Sequence, residues 1–92
     1  MRFMLMLDFF FISILFRQNK LRRIKAFTFL SLDSLTSLDL SKNLIENIES
    51  CSFSSLVNLK HLDLSYNLIS DLDNFTLQGL NGLKILDLSN NL

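Results

Sequence analysis

The stretch LTSLDLSKNLI (residues 35–45) decides the fold, because near-copies of it follow as LKHLDLSYNLI (residues 59–69) and LKILDLSNNL (residues 83–92). Each copy begins 24 residues after the one before it. A weaker copy lies 24 residues earlier, where the core columns stay apolar from Phe11 onward and Asn19 occupies the asparagine column. The chain therefore reads as repeats 11–34, 35–58 and 59–82 with a truncated repeat 83–92, after an apolar segment 1–10.

The Leu-x-Leu alternation in each copy has a period of two, which indicates a short strand with one buried face. Strands this short are not stable alone, so equivalent strands of neighbouring coils are expected to stack in parallel around one continuous core. The register predicts four strands in one sheet, centred on Ile14–Phe16, Leu38–Leu40, Leu62–Leu64 and Leu86–Leu88.

Two apolar columns recur on the segments that return from one strand to the next. One column holds Phe29, Phe53 and Leu77, and the other holds Phe27, Cys51 and Phe75. A recurring aromatic stripe usually packs in a core, so we expect both columns to be buried and the Cys51 thiol to be inert.

The motifs LTSLDLSKNLI, LKHLDLSYNLI and LKILDLSNN resemble the leucine-rich-repeat consensus, and the resemblance covers about residues 11–92. The 24-residue length, with Phe53-x-x-Leu56 between motifs, is similar to the typical class found in ectodomains of Toll-like receptors and other cell-surface repeat proteins. The resemblance implies an α/β-type solenoid with short parallel strands on the concave face and irregular or short helical return arms.

An asparagine follows each strand where the coil turns away from it. An amide buried there can pair with backbone groups that the turn leaves unpaired, although a solvent-exposed turn asparagine is the alternative. The resemblance implies a ladder of asparagines between coils, formed by Asn19, Asn43, Asn67 and Asn91.

The resemblance also makes the concave face the expected surface for protein ligands. The residues that alternate outward from the strands, together with one at a strand edge, are its candidate ligand-binding residues: Arg17, Ser37, Asp39, Ser41, His61, Asp63, Ser65, Tyr66, Ile85, Asp87 and Ser89.

Asp39, Asp63 and Asp87 form a column at the strand spacing of about 4.8 Å. Like charges at that distance repel by about 1 kcal/mol in water and less in salt, so replacing Asp63 is expected to cost little or to help. The column has two interpretations. It binds a cation or a basic ligand, or it is part of the repeat motif, with each aspartate hydrogen-bonded locally. It does not supply the six to eight oxygens of a calcium site.

No sequence feature indicates catalysis. The chain has no phosphate-binding glycine loop, no metal-ligand spacing and no nucleophile elbow, so we expect a binding scaffold without catalytic residues, cofactor or metal. Net charge is zero, with +5 on residues 1–25 and −5 on residues 26–92, which argues against a general nucleic-acid binder.

The apolar run from Phe3 to Phe16 has three readings. It is the lead-in to a first coil, a signal peptide or anchor following Arg2, or a membrane-spanning helix, for which it is short of the usual ~20 residues. Asn74-Phe75-Thr76 is an acceptor sequon for N-glycosylation and favours an extracellular location.

Extracellular members of the family usually carry cysteine-rich caps, which this sequence lacks, so we expect a fragment of a larger protein that self-associates when isolated. Three hypotheses follow. The chain is a segment of a receptor or cell-surface recognition protein, an intracellular adaptor, or a membrane-anchored spacer, and a membrane association through the parent protein stays open.

Overall fold

The described part of the chain contains six short strands. The computed structural model describes the backbone of residues 13–15 and all of residues 20–92. In chain order the strands are β1 (Ser13–Leu15), β2 (Arg23–Ile24), β3 (Ser37–Asp39), β4 (Asn47–Ile48), β5 (His61–Asp63) and β6 (Ile85–Asp87).

The main sheet contains four parallel strands in the order β1-β3-β5-β6. Each pairing steps by 24 residues, so that Leu38 lies beside Leu62 and Leu62 beside Leu86. The prediction of one parallel sheet is confirmed, with each strand displaced by one residue towards the N-terminus. The backbone of the residue after each of these strands can still hydrogen-bond to the neighbouring strand: the Leu40 N–H donates to the Asp63 carbonyl at 2.9 Å.

A second sheet, which the sequence did not predict, pairs β2 with β4 in parallel. Backbone bonds extend this contact, from the Leu44 N–H to the Leu21 carbonyl between the same two coils and from the Leu68 N–H to the Ile45 carbonyl between the next two, each at 2.9 Å. Successive coils are therefore held together by hydrogen bonds at a second position, beyond the turn that ends each main strand.

The core runs between the two sheets and along the inner side of the return arms. Leu40, Leu62 and Leu64 are fully buried, and burial of a leucine side chain contributes about 1.5–3 kcal/mol. Phe29 and Phe53 stack at 5.9 Å between ring centroids, so this predicted aromatic column is buried in both coils. Leucines of equivalent positions thus form one continuous core instead of one core per coil.

The return arms consist of successive turns, and the part of the chain that the structure describes contains no helix. Of the two alternatives for the return arms, the irregular one is observed and the short helical one is wrong. The backbone explains the difference, because Phe27, Ser31 and Cys51 adopt left-handed φ angles of 68°, 73° and 62°. A left-handed residue ends a right-handed helical turn.

The column of Phe27, Cys51 and Phe75 does not enter the core, which corrects the prediction that it is buried. Phe27 is 71% exposed, Phe75 is 56% exposed and Cys51 is half-buried. The next residue along each arm takes the inward position instead: Ser52 and Thr76 are buried. The left-handed turn at Phe27 and Cys51 directs the apolar side chain outward, and the small hydroxyl residue after it faces the core.

Buried hydroxyls at this column are satisfied locally. The Ser52 hydroxyl donates to the Glu49 carbonyl at 2.7 Å, and the Thr76 hydroxyl donates to the Asp73 carboxylate at 3.0 Å. Polar groups can be buried at such positions because each has a hydrogen-bond partner within three residues.

The predictions for the N-terminal run fall mostly outside the described residues. Ser13–Leu15 pairs with β3 in the register of the other coils, so the repeat reaches back at least to residue 13. The interpretations of residues 3–16 as a signal peptide, an anchor or a membrane-spanning helix concern mainly residues that the structure does not describe. Across residues 13–15 and 20–92, the structure contains no helix with the length and apolar character that crossing a membrane requires.

Candidate ligand-binding face

The main sheet arranges the predicted face in columns across the coils. The central leucines of the strands point to the core, so the flanking residues of each strand face the other way. One column contains Ser37, His61 and Ile85, and the other contains Asp39, Asp63 and Asp87. All six are half-buried except Ile85, which is 56% exposed.

Each aspartate of the face accepts two hydrogen bonds from the serine two residues ahead. At Asp63, Oδ1 accepts from the Ser65 backbone N–H at 2.9 Å and from the Ser65 hydroxyl at 2.6 Å. Asp39 and Asp87 repeat this geometry with Ser41 and Ser89. Of the two readings of the column, this geometry is that of the local one, in which each aspartate closes the turn after its strand.

Ser41 and Ser65 are buried, which corrects their assignment to the ligand-binding face. The strand alternation that predicted an outward side chain ends at Asp39 and Asp63, and the chain then turns. Only Ser89 of this column is exposed. The first two serines therefore belong to the hydrogen-bonded interior of the turn.

The pKa of Asp87 lies below its ordinary value of 3.8. The Ser89 hydroxyl and backbone N–H stabilise the carboxylate form, and the positive charge of His61 on the neighbouring strand adds to the effect. Within residues 20–92 no three histidine, cysteine or carboxylate side chains lie close enough together to hold a metal ion. Hydrogen bonds from the protein itself therefore stabilise the negatively charged aspartates of the face.

A third column follows the strands at their carboxyl ends and contains Lys42, Tyr66 and Asn90. All three adopt left-handed φ angles, of 59°, 57° and 60°. Lys42 and Tyr66 are exposed, and the Lys42 Nζ lies 5.7 Å from the centroid of the Tyr66 ring. Cation–π contacts at exposed sites contribute about 0.5–1 kcal/mol. Tyr66 therefore has a defined position at the edge of the face.

Cys51 lies on a return arm, whereas His61 lies in β5 on the main sheet. The thiol of Cys51 is 4.0 Å from the Gln78 Oε1. The elements that carry the two residues are therefore separate parts of the coil, and the contact of Cys51 is with the return arm of the next coil.

The asparagines after the strands hydrogen-bond the backbone of two coils. The Asn67 amide donates to the Leu64 and Ser65 carbonyls of its own coil and to the Leu40 carbonyl of the preceding coil, each at 3.1 Å. Its Oδ1 accepts from the Ile45 N–H of the preceding coil at 3.0 Å. Asn67 thus closes its own turn and the turn of the preceding coil.

Asn91 has the same arrangement, and the Asn43 amide likewise donates to two carbonyls of its own coil. Oδ1 of Asn43 accepts from the Leu21 N–H at 3.4 Å, and Oδ1 of Asn91 accepts from the Ile69 N–H at 2.9 Å. No buried side-chain nitrogen or oxygen within residues 20–92 lacks a hydrogen-bond partner. The predictions for Asn19 on the ladder and Arg17 on the face concern residues outside the described part of the chain.

The glycosylation candidate lies away from the main sheet. Asn74 is exposed in a turn of the third return arm, two residues before the buried Thr76. The strand face and the sequon therefore occupy different sides of the coil.

Comparison with known proteins identifies the repeat independently. The family profile for leucine rich repeats matches residues 13–69 and, again, residues 34–92. Together the two matches span every coil that the structure describes. No curated protein matches the chain. Because the profile, the 24-residue register and the asparagines agree, the chain belongs to the leucine-rich repeat family.

Proposed function

We propose that the chain is part of an extracellular or cell-surface recognition protein and binds a protein ligand through the face of the main sheet. Leucine-rich repeat domains generally mediate protein–protein interaction and typically act as non-enzymatic binding scaffolds. That general role supports the binding of a protein ligand. Our proposal goes further in assigning the binding to the face of the main sheet and in placing the protein outside the cell or at its surface.

One observation carries the proposal: the side chains outside the core lie in straight columns on a parallel sheet in strict 24-residue register. Strand pairing and the asparagines fix the backbone beneath them, so little conformational entropy is lost when a ligand binds. The face combines an aromatic residue, Tyr66, an exposed apolar residue, Ile85, and the charged Asp63. Such a mixture suits a protein surface, where aromatic residues contribute much of the binding energy.

The extracellular location rests on the sequon at Asn74, whose asparagine is exposed, and on the resemblance to cell-surface repeat proteins. An intracellular adaptor role is the alternative.

The test uses two arrays of purified proteins, one of secreted and cell-surface ectodomains and one of intracellular proteins, probed with the chain of residues 1–92. Two variants form a matched pair, because Tyr66→Ala and Phe75→Ala each remove an aromatic ring that is slightly more than half exposed. Tyr66 lies beside the sheet and Phe75 lies on a return arm.

We expect binding to an ectodomain that is weakened at least tenfold by Tyr66→Ala and unchanged by Phe75→Ala. The reverse pattern would place the ligand on the return arms and contradict the proposed face. Binding confined to the intracellular array would favour the adaptor instead.

A further inference from the structure

We propose that Asn74 carries an N-linked glycan, that the glycan is added before the third coil folds, and that it covers the exposed Phe75. This inference rests on the proposed extracellular location. Asn74-Phe75-Thr76 is the one acceptor sequon in the sequence, so the chain offers a single site.

The folded chain has room for a glycan at this site. Asn74 is exposed, and its neighbour Phe75 is 56% exposed on the same turn. The turn is held from inside by Asp73, whose Oδ1 accepts from the Phe75 N–H at 2.8 Å and from the Thr76 hydroxyl at 3.0 Å. The side chains that hold the turn therefore differ from the one that would be modified.

The timing follows from the burial of Thr76. The sequon requires a hydroxyl residue at this position, but the Thr76 side chain is fully buried once the coil has formed. A transferase that must contact this hydroxyl can therefore reach it only in the unfolded coil. Modification during synthesis satisfies this requirement, and the finished turn then presents the modified Asn74 outward.

The benefit of a glycan here comes from its neighbours. Phe27 and Phe75, with the half-buried Cys51 between them, form an outward apolar column on three successive return arms. The coils are in direct contact, since the Cys51 N–H donates to the Phe75 carbonyl at 3.1 Å. An exposed apolar stripe promotes association, and a bulky, hydrated glycan beside Phe75 would oppose it without touching the sheet face.

The covalent step is a glycosyl transfer from a lipid-pyrophosphate-linked oligosaccharide, catalysed by the cellular transferase. Nδ2 of Asn74 forms a bond to the anomeric carbon of the first sugar. The bond between that carbon and the pyrophosphate oxygen breaks, and the lipid pyrophosphate leaves with the electron pair. The proton that Nδ2 loses passes to the solvent, and no oxidation or reduction takes place.

To test the site, residues 1–92 are fused behind a cleavable heterologous signal peptide and produced in secretory cells. We expect a mass increase of one glycan that a peptide-N-glycosidase removes. Asn74→Gln should abolish the increase, whereas Asn81→Gln, at an exposed asparagine outside any sequon, should leave it unchanged. Thr76→Ser should keep it, since Ser52 occupies the equivalent buried position, and Thr76→Val should remove it.

The timing of glycan addition and the shielding of Phe75 are each tested by a separate measurement. Leu62→Ala, which weakens the core, should leave occupancy equal or higher, compared with the exposed control Val57→Ala; a lower occupancy would contradict addition before folding. Enzymatic removal of the glycan should increase binding of an apolar fluorescent dye, and Phe75→Ser should reduce that increase. An unchanged dye signal would overturn the shielding role.

The heterologous signal separates this inference from the proposed function. A translocated chain with its signal removed but no glycosidase-sensitive mass would overturn the Asn74 site, whatever the native location. Production of the same chain without the added signal tests the location by itself.

Discussion

Replacing Asp63 by alanine tests how the strand face is held together. Asp63 is the central member of its column, with Asp39 on one neighbouring strand and Asp87 on the other. Charge alone predicts that its removal costs little or helps. The structure adds a second effect, because Oδ1 accepts both the Ser65 N–H and the Ser65 hydroxyl.

The two effects can be weighed. Without the Asp63 carboxylate, the backbone N–H and the hydroxyl of the buried Ser65 lose their acceptor. Each unsatisfied buried group costs about 1–3 kcal/mol. The relief of repulsion is about 1 kcal/mol for each of the two neighbours in pure water and roughly half of that at physiological salt. The hydrogen bonds therefore win, and we expect Asp63→Ala to destabilise the chain by about 1–2 kcal/mol.

The assay is urea unfolding at low and at high salt for three variants. Asp63→Asn is the matched control, because it keeps an oxygen acceptor and removes only the charge. The weaker neutral acceptor and the relief of repulsion oppose each other, so it should lie within about 1 kcal/mol of the parent, with any gain larger at low salt than at high salt. Ser65→Ala should lose part of what Asp63→Ala loses. If Asp63→Ala were as stable as the parent at both salt concentrations, the reasoning from hydrogen bonds would be refuted.

Three further predictions concern the core, acid stability and association. Leu62→Ala should destabilise by about 2–5 kcal/mol in urea melts and Leu86→Ala by clearly less, because Leu62 is fully buried and Leu86 is half-buried; equal losses would contradict the position of the core. Hydrogen bonds, first of all from the Ser50 hydroxyl, hold the pKa of Asp73 below its ordinary value of 3.8 in the folded chain, so its contribution to stability is present above pH 3.8 and is lost as the pH falls from there through the lower folded-state pKa. Asp73→Asn should therefore flatten the stability profile below about pH 4 in acid titrations monitored by circular dichroism, and an unaltered profile would exclude this role. The isolated polypeptide of residues 1–92 should elute from size-exclusion chromatography as oligomers, because Ile85 and the Phe27 column are exposed and β6 lies at a sheet edge; a stable monomer at high concentration would disprove this.

The parallel sheet and its register could be predicted from the sequence, because leucine and asparagine recur at fixed positions in every coil. A buried leucine such as Leu62 and a turn amide such as Asn67 each have one role that suits them, so identity and spacing were sufficient. The two-residue strands β2 and β4 were missed, since an alternating pattern cannot be read in two residues.

The side-chain directions in the turns could not be derived from periodicity. Continuing the strand alternation predicted an outward Ser65 side chain, but the chain turns after Asp63 and the Ser65 side chain is buried. Apolar identity likewise predicted a buried Phe27, whereas its left-handed backbone directs it outward. The recurrence of a hydroxyl residue at Ser52 and Thr76 was the available indication that this neighbouring column faces the core.

The asparagines also give the solenoid a mechanical direction. The turn of each coil is held by a side chain of the coil after it, as the Ile45 N–H is by Asn67 and the Ile69 N–H by Asn91. A coil peeled away from the C-terminal side therefore loosens the turn it leaves behind. A coil peeled away from the N-terminal side leaves the next asparagine bonded within its own coil. Under tension the chain should yield coil by coil, lengthening by about 80 Å for each 24 residues released, with less resistance from the C-terminal side.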